Sequence, residues 1–448
     1  VDEIRVLTPT GMLGYGFPEE NFWKAMERKP HVIAVDSGST DSGPQKLGNG
    51  SLTCSIEDYI RDISILLKAA HQDKIPLYIS SAGGTGSNSQ VDLFVKLVKE
   101  ISNRNGYSFR IATIYADIDK SLIKQKIAKG QVSPCGPIAP LTDHDVDDAV
   151  TIVAQMGVEP YLEAMDNADI IISGRSYDPV PIAAMGIKHG FDAALCWHMG
   201  KIMECGGLCA GNAKDCIMGY LRRDAFVLEA FGEKSQCTRR SVAAHTLYEK
   251  THPYYLAGPG GTLDVSSAIF EEIGENRVKV SNSSFIPADP YTIKLEGSKQ
   301  VGFRSTFIAG MRDPLAISKI DDILDEITTS LRESFRDNDE FVDIIFHVYG
   351  KNGVMGEYEP QKVITSHELG IVAEAVAKSQ ETAQLICSKA RIGLLHNKYE
   401  GRKATAGNVG FIFTPLEIPL GEVYQFNVYH LMEVEDPCAC FPISYTKV

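Results

Sequence analysis

The sequence predicts an α/β protein: an N-terminal doubly wound, Rossmann-like domain built on a parallel sheet, followed by a smaller α+β domain. Three observations carry this. Five short, β-branched and almost uninterrupted apolar runs fall in the first 180 residues, as strands buried on both faces require. Amphipathic runs of helical period fill the gaps between them, and right-handed crossovers of that kind lay successive strands parallel. After about residue 300 the alternation gives way to strand, helix, strand and then paired strands, the grammar of a split β-α-β layer. The domains are therefore drawn at 1–298 and 299–448, with the boundary inside the stretch GSKQ.

In chain order, strands are expected at 4–10, 31–36, 75–81, 109–115 and 168–173, with helices at 18–28, 56–72, 90–101, 120–128 and 158–165. A further helix is expected at 193–205, and a glycine turn, GPGGTLD, at 258–264. In the second domain the pattern reads as strands at 301–309 and 341–349, helices at 314–335 and 367–395, and strands at 409–413 and 423–434. A chain of 448 residues exceeds what one core usually serves, which agrees with two domains. The net charge of −14, with no basic patch, argues against nucleic acid and against an anionic membrane as partners. Without a signal core or an 18-residue apolar stretch, the expectation is a cytoplasmic protein whose ten cysteines are mostly buried thiols. A homo-oligomer is expected on the general habit of cytoplasmic proteins of this size.

The stretch IPLYISSAGGTGS, residues 75–87, organises the first domain. A strand that stops in glycines and restarts as a helix offers converging N–H groups beside a positive helix end. Gly83, Gly84 and Gly86 free the backbone, and Ser81, Thr85 and Ser87 add hydroxyl donors, so the turn suits a carboxylate or phosphate. The spacing is neither a dinucleotide fingerprint nor a P-loop, which disfavours a nicotinamide enzyme. Ligands on parallel sheets sit beyond the carboxyl ends of the strands, and all five ends here are polar or glycine-rich. Asp36, Ser37, Thr40, Asp41, Ser81, Thr85, Asp117, Arg175 and Asp178 would cluster there as a substrate pocket.

Arg175, two residues past an apolar strand, offers a bidentate fork to a carboxylate, unless Asp178 or Asp169 takes it as a structural ion pair. On the helix at 193–205, His198, Lys201 and Cys205 share one face with Glu204 beside it, an acid–base set suited to hydration or proton abstraction. The competing reading is a core helix whose histidine and lysine are merely satisfied. Two metal readings are weaker: zinc through Cys205, Cys209 and Cys216, and a metal or substrate on His245, Glu249 and His252 at helical spacing.

Beyond these chemical readings, TPTGMLGYGFPEE, DSGSTDSGP, SGRSYDP, HMGKIMECG, SVAAHTLYEK, PGGTLD, GFRSTFIAGMRDP and YHLMEVEDP, in this order, resemble the acyclic terpene utilisation (AtuA) family. The resemblance implies a place in the breakdown of branched or unsaturated carboxylic acids by way of acyl-CoA intermediates. It also implies a small companion protein, here as a separate partner. Residues and resemblance together give the expected function: a cytoplasmic catabolic enzyme acting on a small branched or unsaturated carboxylate or its acyl-CoA ester. The expected chemistry is that of a lyase or hydratase. Catalysis is assigned to His198, Lys201, Glu204 and Asp36, and substrate binding to Ser37, Thr40, Ser81, Gly83, Gly84, Thr85, Gly86, Arg175 and Asp178. No cofactor is required, although a divalent metal beside Asp36 and Asp41 stays open. The alternatives are an amide or thioester hydrolase with Ser37 or Ser81 as nucleophile, and a non-catalytic metabolite-binding or pathway-scaffolding subunit.

Overall fold

The computed structural model describes residues 1–248, 251–336, 339–405 and 408–448. The chain forms two compact units, Val1–Lys299 with Phe426–Val448, and Gln300–Gln425. In the first, all five expected strands are present: β1 (Ile4–Thr8), β2 (Val32–Asp36), β3 (Leu77–Ser80), β4 (Arg110–Ile114) and β5 (Ile170–Ser173). They are parallel neighbours in the spatial order β1-β2-β3-β5-β4. Their uninterrupted apolar runs are explained by two separate cores. Ala34, Tyr78, Ala112 and Ile171 pack with helices Val180–Lys188 and Ala193–Met203 on one face. Ile33, Val35, Ile79, Ile111 and Ile172 pack with helices Glu19–Met26, Ile56–Asp73 and Asn88–Asn105 on the other.

The sheet is mixed, which corrects the expectation of a purely parallel one. Beyond β1 it continues with Ile217–Leu221, Ala225–Ala230, Arg277–Ser281 and Ile269–Glu272, and beyond β4 with Ile443–Lys447, all antiparallel. The connection at 222–224 is far too short for a crossover and admits only a hairpin. In the same unit Thr151–Gln155 pairs antiparallel with residues 294–298. A separate three-stranded sheet consists of Tyr255–Gly258, Gly261–Asp264 and Ser284–Pro287.

In the second unit, residues 303–311 pair with Leu369–Ala377, and that strand pairs with Phe341–Tyr349. Helices Ile320–Ser334 and Gln380–His396 cover the sheet through Ile323, Ile327, Leu331, Ile386 and Leu394. The helix expected over 367–395 is thus a strand followed by a helix. Its first half, LGIVAEAVA, holds three Ala with a Leu and a Glu that favour helix, but Leu369, Ile371, Ala373, Ala375 and Ala377 are buried on one face, and this tertiary packing overrides helix propensity. Ser379 then accepts a hydrogen bond from the Thr382 N–H and starts the helix. Among the described residues, no helix is long and apolar enough to cross a membrane.

Because β1–β5 run the same way, Thr8, Asp36, Ser80, Ile114 and Ser173 end at one edge. The loops beyond it are interlocked at Gly86, whose carbonyl accepts the Arg175 N–H at 3.0 Å. Gly86 has φ +65°, and an added Cβ would lie 2.2 Å from the Arg175 nitrogen. Gly190 shares that backbone conformation at φ +67° but has nothing within 4 Å. We predict that Gly190→Ala costs about 1 kcal/mol from the left-handed backbone alone. Gly86→Ala should cost about 1–3 kcal/mol more through overpacking, and urea midpoints of the two variants measure the difference. Equal losses would contradict the close approach.

Candidate active site

Asp36 closes β2 and is 5% exposed. Its Oδ1 accepts from Ser80 Oγ at 2.6 Å and its Oδ2 from the Gly38 N–H at 3.0 Å. Burial pushes the carboxyl up and the Asp178 carboxylate adds to this; Ser80, Arg175 and Gly38 restrain the rise, and the group titrates at about 7.

The second carboxyl comes from helix Ala193–Met203, whose start is capped by Asp192 accepting from the Ala194 and Leu195 N–H groups. Lys201 lies in the last turn and Glu204 just after it. Lys201 Nζ donates to Glu204 Oε1, while Glu204 Oε2 is buried without a hydrogen-bond partner among the described residues. Burial pushes the Glu204 carboxyl up, Lys201 pulls it back, and Asp178 and Asp36 push it up again, to about 8. Burial by itself would lower the Lys201 ammonium, but Glu204 and Asp178 outweigh it and hold the group above its ordinary range.

Arg175 is 1% exposed and anchors the opposite side. Its Nε donates to Glu296 Oε2 at 2.8 Å, and its Nη1 to Asp178 Oδ1 at 2.7 Å, to the Ser176 carbonyl at 2.9 Å and to Ser81 Oγ at 3.4 Å. Lys294 Nζ lies 2.7 Å from Glu296 Oε1. Burial would raise the Glu296 carboxyl, but Arg175 and Lys294 hold it at about 2. Two cavities open on this cluster. One of about 290 Å³ is lined by Asp36, Gly38, Glu204 and Cys205, and one of about 590 Å³ by Gln155, Arg175, Tyr177, Lys201 and Lys294. Asp41 and Asp178 line both, so an acidic side adjoins a cationic one.

The glycine turn is satisfied in part from within, the Gly84 N–H donating to the Ser81 carbonyl at 2.9 Å. Gln90 Oε1 accepts from the Thr85 N–H at 3.1 Å and from Thr85 Oγ1 at 2.8 Å. At the start of helix Asn88–Asn105, the Asn88 N–H donates to Asp117 Oδ1 at 2.9 Å, and burial pushes that carboxyl up to about 6. Ser81 is fully buried at φ +47°; its Oγ accepts from Arg175 and from the Ser176 N–H. Ser37 donates its N–H to the Ser80 carbonyl, and the Thr40 carbonyl accepts from the Gly43 N–H. Ser37, Thr40, Ser81, Gly83, Gly84, Thr85 and Gly86 line neither cavity.

His198 also lines neither. It is fully buried between the ring edges of Phe226 and Phe270, with Nδ1 2.7 Å from Ser283 Oγ and Nε2 3.0 Å from Thr246 Oγ1. His245 ends up nearer the cleft. Burial, with Lys201 close by, pulls its imidazole down to about 4, and its ring stacks on Tyr248 at 5.2 Å. Helix Arg239–Thr246 ends before His252, whose Nδ1 accepts from the Tyr254 and Tyr255 N–H groups, and Glu249 lies outside the described residues. Cys216 donates to the Pro9 carbonyl, and Cys209 lies against Cys237. Among the described residues, no group of three or more His, Cys, Asp or Glu is placed to hold a metal ion.

Lys294, Glu296 and Tyr177 escaped the sequence reading. The signal for the first two was there: in TIKLEGS the charges at 294 and 296 alternate with apolar Ile293 and Leu295, so both charges point to one face of a strand.

Fold and site together define an α/β protein with a buried carboxyl–ammonium cluster beyond the carboxyl ends of parallel strands. The chain belongs to the acyclic terpene utilisation family AtuA, whose model matches residues 56–217 and 224–415. That membership carries a catabolic role in the utilisation of acyclic terpenes. Neither a curated protein nor a solved structure matches the chain.

The carboxyls titrate in opposite senses, and stability should follow. Glu296 is depressed, so its contribution is complete above about 4.5 and is lost as pH falls toward about 2. Removing one member of such a buried set costs about 3–5 kcal/mol, so Glu296→Gln should be strongly destabilised at pH 7, with a gap to wild type that narrows below pH 4.5. Glu204 is raised, so the stability linked to its protonated form is complete below about 4.5 and is lost as pH rises through about 8. The stability difference should therefore shift in favour of Glu204→Gln as pH rises, and denaturation at stepped pH measures both trends.

Proposed function

We propose that this protein is a lyase or hydratase that uses acid–base chemistry on a small branched or unsaturated carboxylate or its acyl-CoA ester. One observation carries this reading: Asp36 and Glu204, two buried carboxyls titrating near neutrality, lie beside Asp178, which also lines the cavity of Arg175, Lys201 and Lys294. Pairs of carboxyls whose environments separate their titration mark an acid and a base. Burial raises both carboxyls into the neutral range, so that one can accept a proton while the other gives one. In the dehydration direction Asp36 takes the proton from the carbon next to the carbonyl. The electrons form the new double bond, and Glu204 protonates the hydroxyl, which leaves as water. Arg175, Lys201 and Lys294 offset the negative charge that develops on the carboxylate or thioester oxygen.

This proton transfer calls for no cofactor, with a divalent ion beside Asp36 and Asp41 as the alternative source of electrophilic help. In this reading the chain works in the cytoplasm as a homo-oligomer alongside a small companion protein. His198 acts through its helix as a positioning residue, held by Ser283 and Thr246. The hydrolase reading has less support, because the Ser81 hydroxyl already accepts from Arg175 and Ser176 and lies outside both cavities.

The test is a thermal-shift screen of branched unsaturated acids and their CoA esters, followed by turnover of whatever binds. We predict a bell-shaped pH profile for kcat/KM with flanks near about 7 and about 8. Asp36→Asn and Glu204→Gln should each lower kcat by about 10²-fold or more while ligand binding persists. Retained turnover in both variants, or no binding anywhere in the panel, would overturn the proposal.

A further inference from the structure

A second charged cavity of about 380 Å³ shares no lining residue with the cleft. Arg5, Arg28, Lys29, Arg222 and Arg277 line it, against only two carboxylates, Glu3 and Glu27. Such a concentration of cations stands out in a chain of net charge −14 and corrects the expectation of no basic patch, because it is assembled from four separate stretches of the chain. Two of the five are on strands, Arg5 on β1 and Arg277 on strand Arg277–Ser281, paired in register with Glu229, while Arg28, Lys29 and Arg222 lie just beyond element ends.

Two glutamates fix four guanidinium groups. Glu229 Oε1 lies 3.0 Å from Arg28 Nη2, and its Oε2 lies 2.7 Å from Arg277 Nη2. Glu3 Oε1 lies 3.0 Å from Arg5 Nε, and its Oε2 lies 2.8 Å from Arg222 Nε. Arg5 Nη1 also donates to the Arg28 carbonyl at 2.7 Å, tying the two pairs together. Each glutamate neutralises only one of its two partners. Among the described residues, Nη1 and Nη2 of Arg222 and Nε and Nη1 of Arg277 have no protein acceptor. A set of pre-oriented guanidinium edges with surplus positive charge matches the tetrahedral, multiply charged oxygens of phosphate, which accept such forks bidentately.

We propose that this cavity binds the pyrophosphate group of a small metabolite, either as free pyrophosphate or as part of a nucleoside diphosphate. Arg5 lies toward the amino end of β1, whereas the acid–base cleft lies beyond the carboxyl ends of the strands, so occupancy here is separate from turnover there.

The experiment is calorimetric titration of the whole chain with pyrophosphate and with adenosine diphosphate, against sodium chloride of matched ionic strength. Wild type should bind saturably. The double variant Lys29→Gln/Arg222→Gln, which changes two exposed side chains, should keep its unliganded melting midpoint and bind at least about tenfold more weakly. Arg110→Gln, whose guanidinium is paired with Asp169 at another cavity, should bind as wild type does. Tighter binding of the diphosphate nucleoside would assign a nucleotide, and equal binding the phosphate group alone. Absence of saturable binding in wild type, or undiminished binding in the double variant, overturns the proposal.

Discussion

The buried ion pair between Arg175 and Glu296 is the constraint on which the candidate site depends. Both groups are withdrawn from water, and such a pair offsets its desolvation only when every remaining donor and acceptor finds a partner. Lys294 takes the second oxygen of Glu296, and Asp178, Ser176 and Ser81 take Nη1 of the guanidinium. The network thus joins the loop after β5 to the strand residues at 294–298 and to the turn after β3. What looks like a ligand-binding arginine is first a structural one, which then presents its remaining surface to the cavity.

Around this anchor the carboxyl group takes three electrostatic forms. Glu296 faces two cations and is held ionised far below neutrality. Asp36 has a hydroxyl and an amide as direct donors and titrates near 7. Glu204 has one ammonium and two neighbouring carboxylates and titrates near 8. Burial raises all three, and the neighbouring charges decide the outcome: two cations overcome it at Glu296, whereas nearby carboxylates add to it at Asp36 and Glu204. Ordinary carboxyls thus cover ionised and near-neutral behaviour within one site.

Much of this was legible from sequence because burial on both faces leaves an unmistakable pattern. The runs that became β1 to β5 are continuous and β-branched, and once parallel strands are granted, Asp36, Arg175 and Asp178 must converge on one edge. Lys201 and Glu204 were legible as chemistry on a helix. What was not legible depends on partners distant in the chain. Helical spacing put His198 on a face with Lys201, but only the packing of Phe226 and Phe270 decides that it ends up in a core. The glycine turn advertised an anion site, yet Gln90 and Asp117 fill that role from inside the molecule. Glu296 sits 121 residues from the arginine it holds. The strand Leu369–Ala377 was hidden by residues that prefer helices in isolation.

Strand Ile443–Lys447 pairs with β4, although more than 300 residues separate Ile114 from Ile443. During synthesis, therefore, more than 300 residues emerge after β4 while it still presents an open row of amide and carbonyl groups. Such an edge invites pairing with a neighbouring nascent chain, and closing it late requires a very long loop to be drawn together. A chain cut before Ile443 therefore keeps the residues of β1–β5 but leaves the β4 flank open to pairing with another chain.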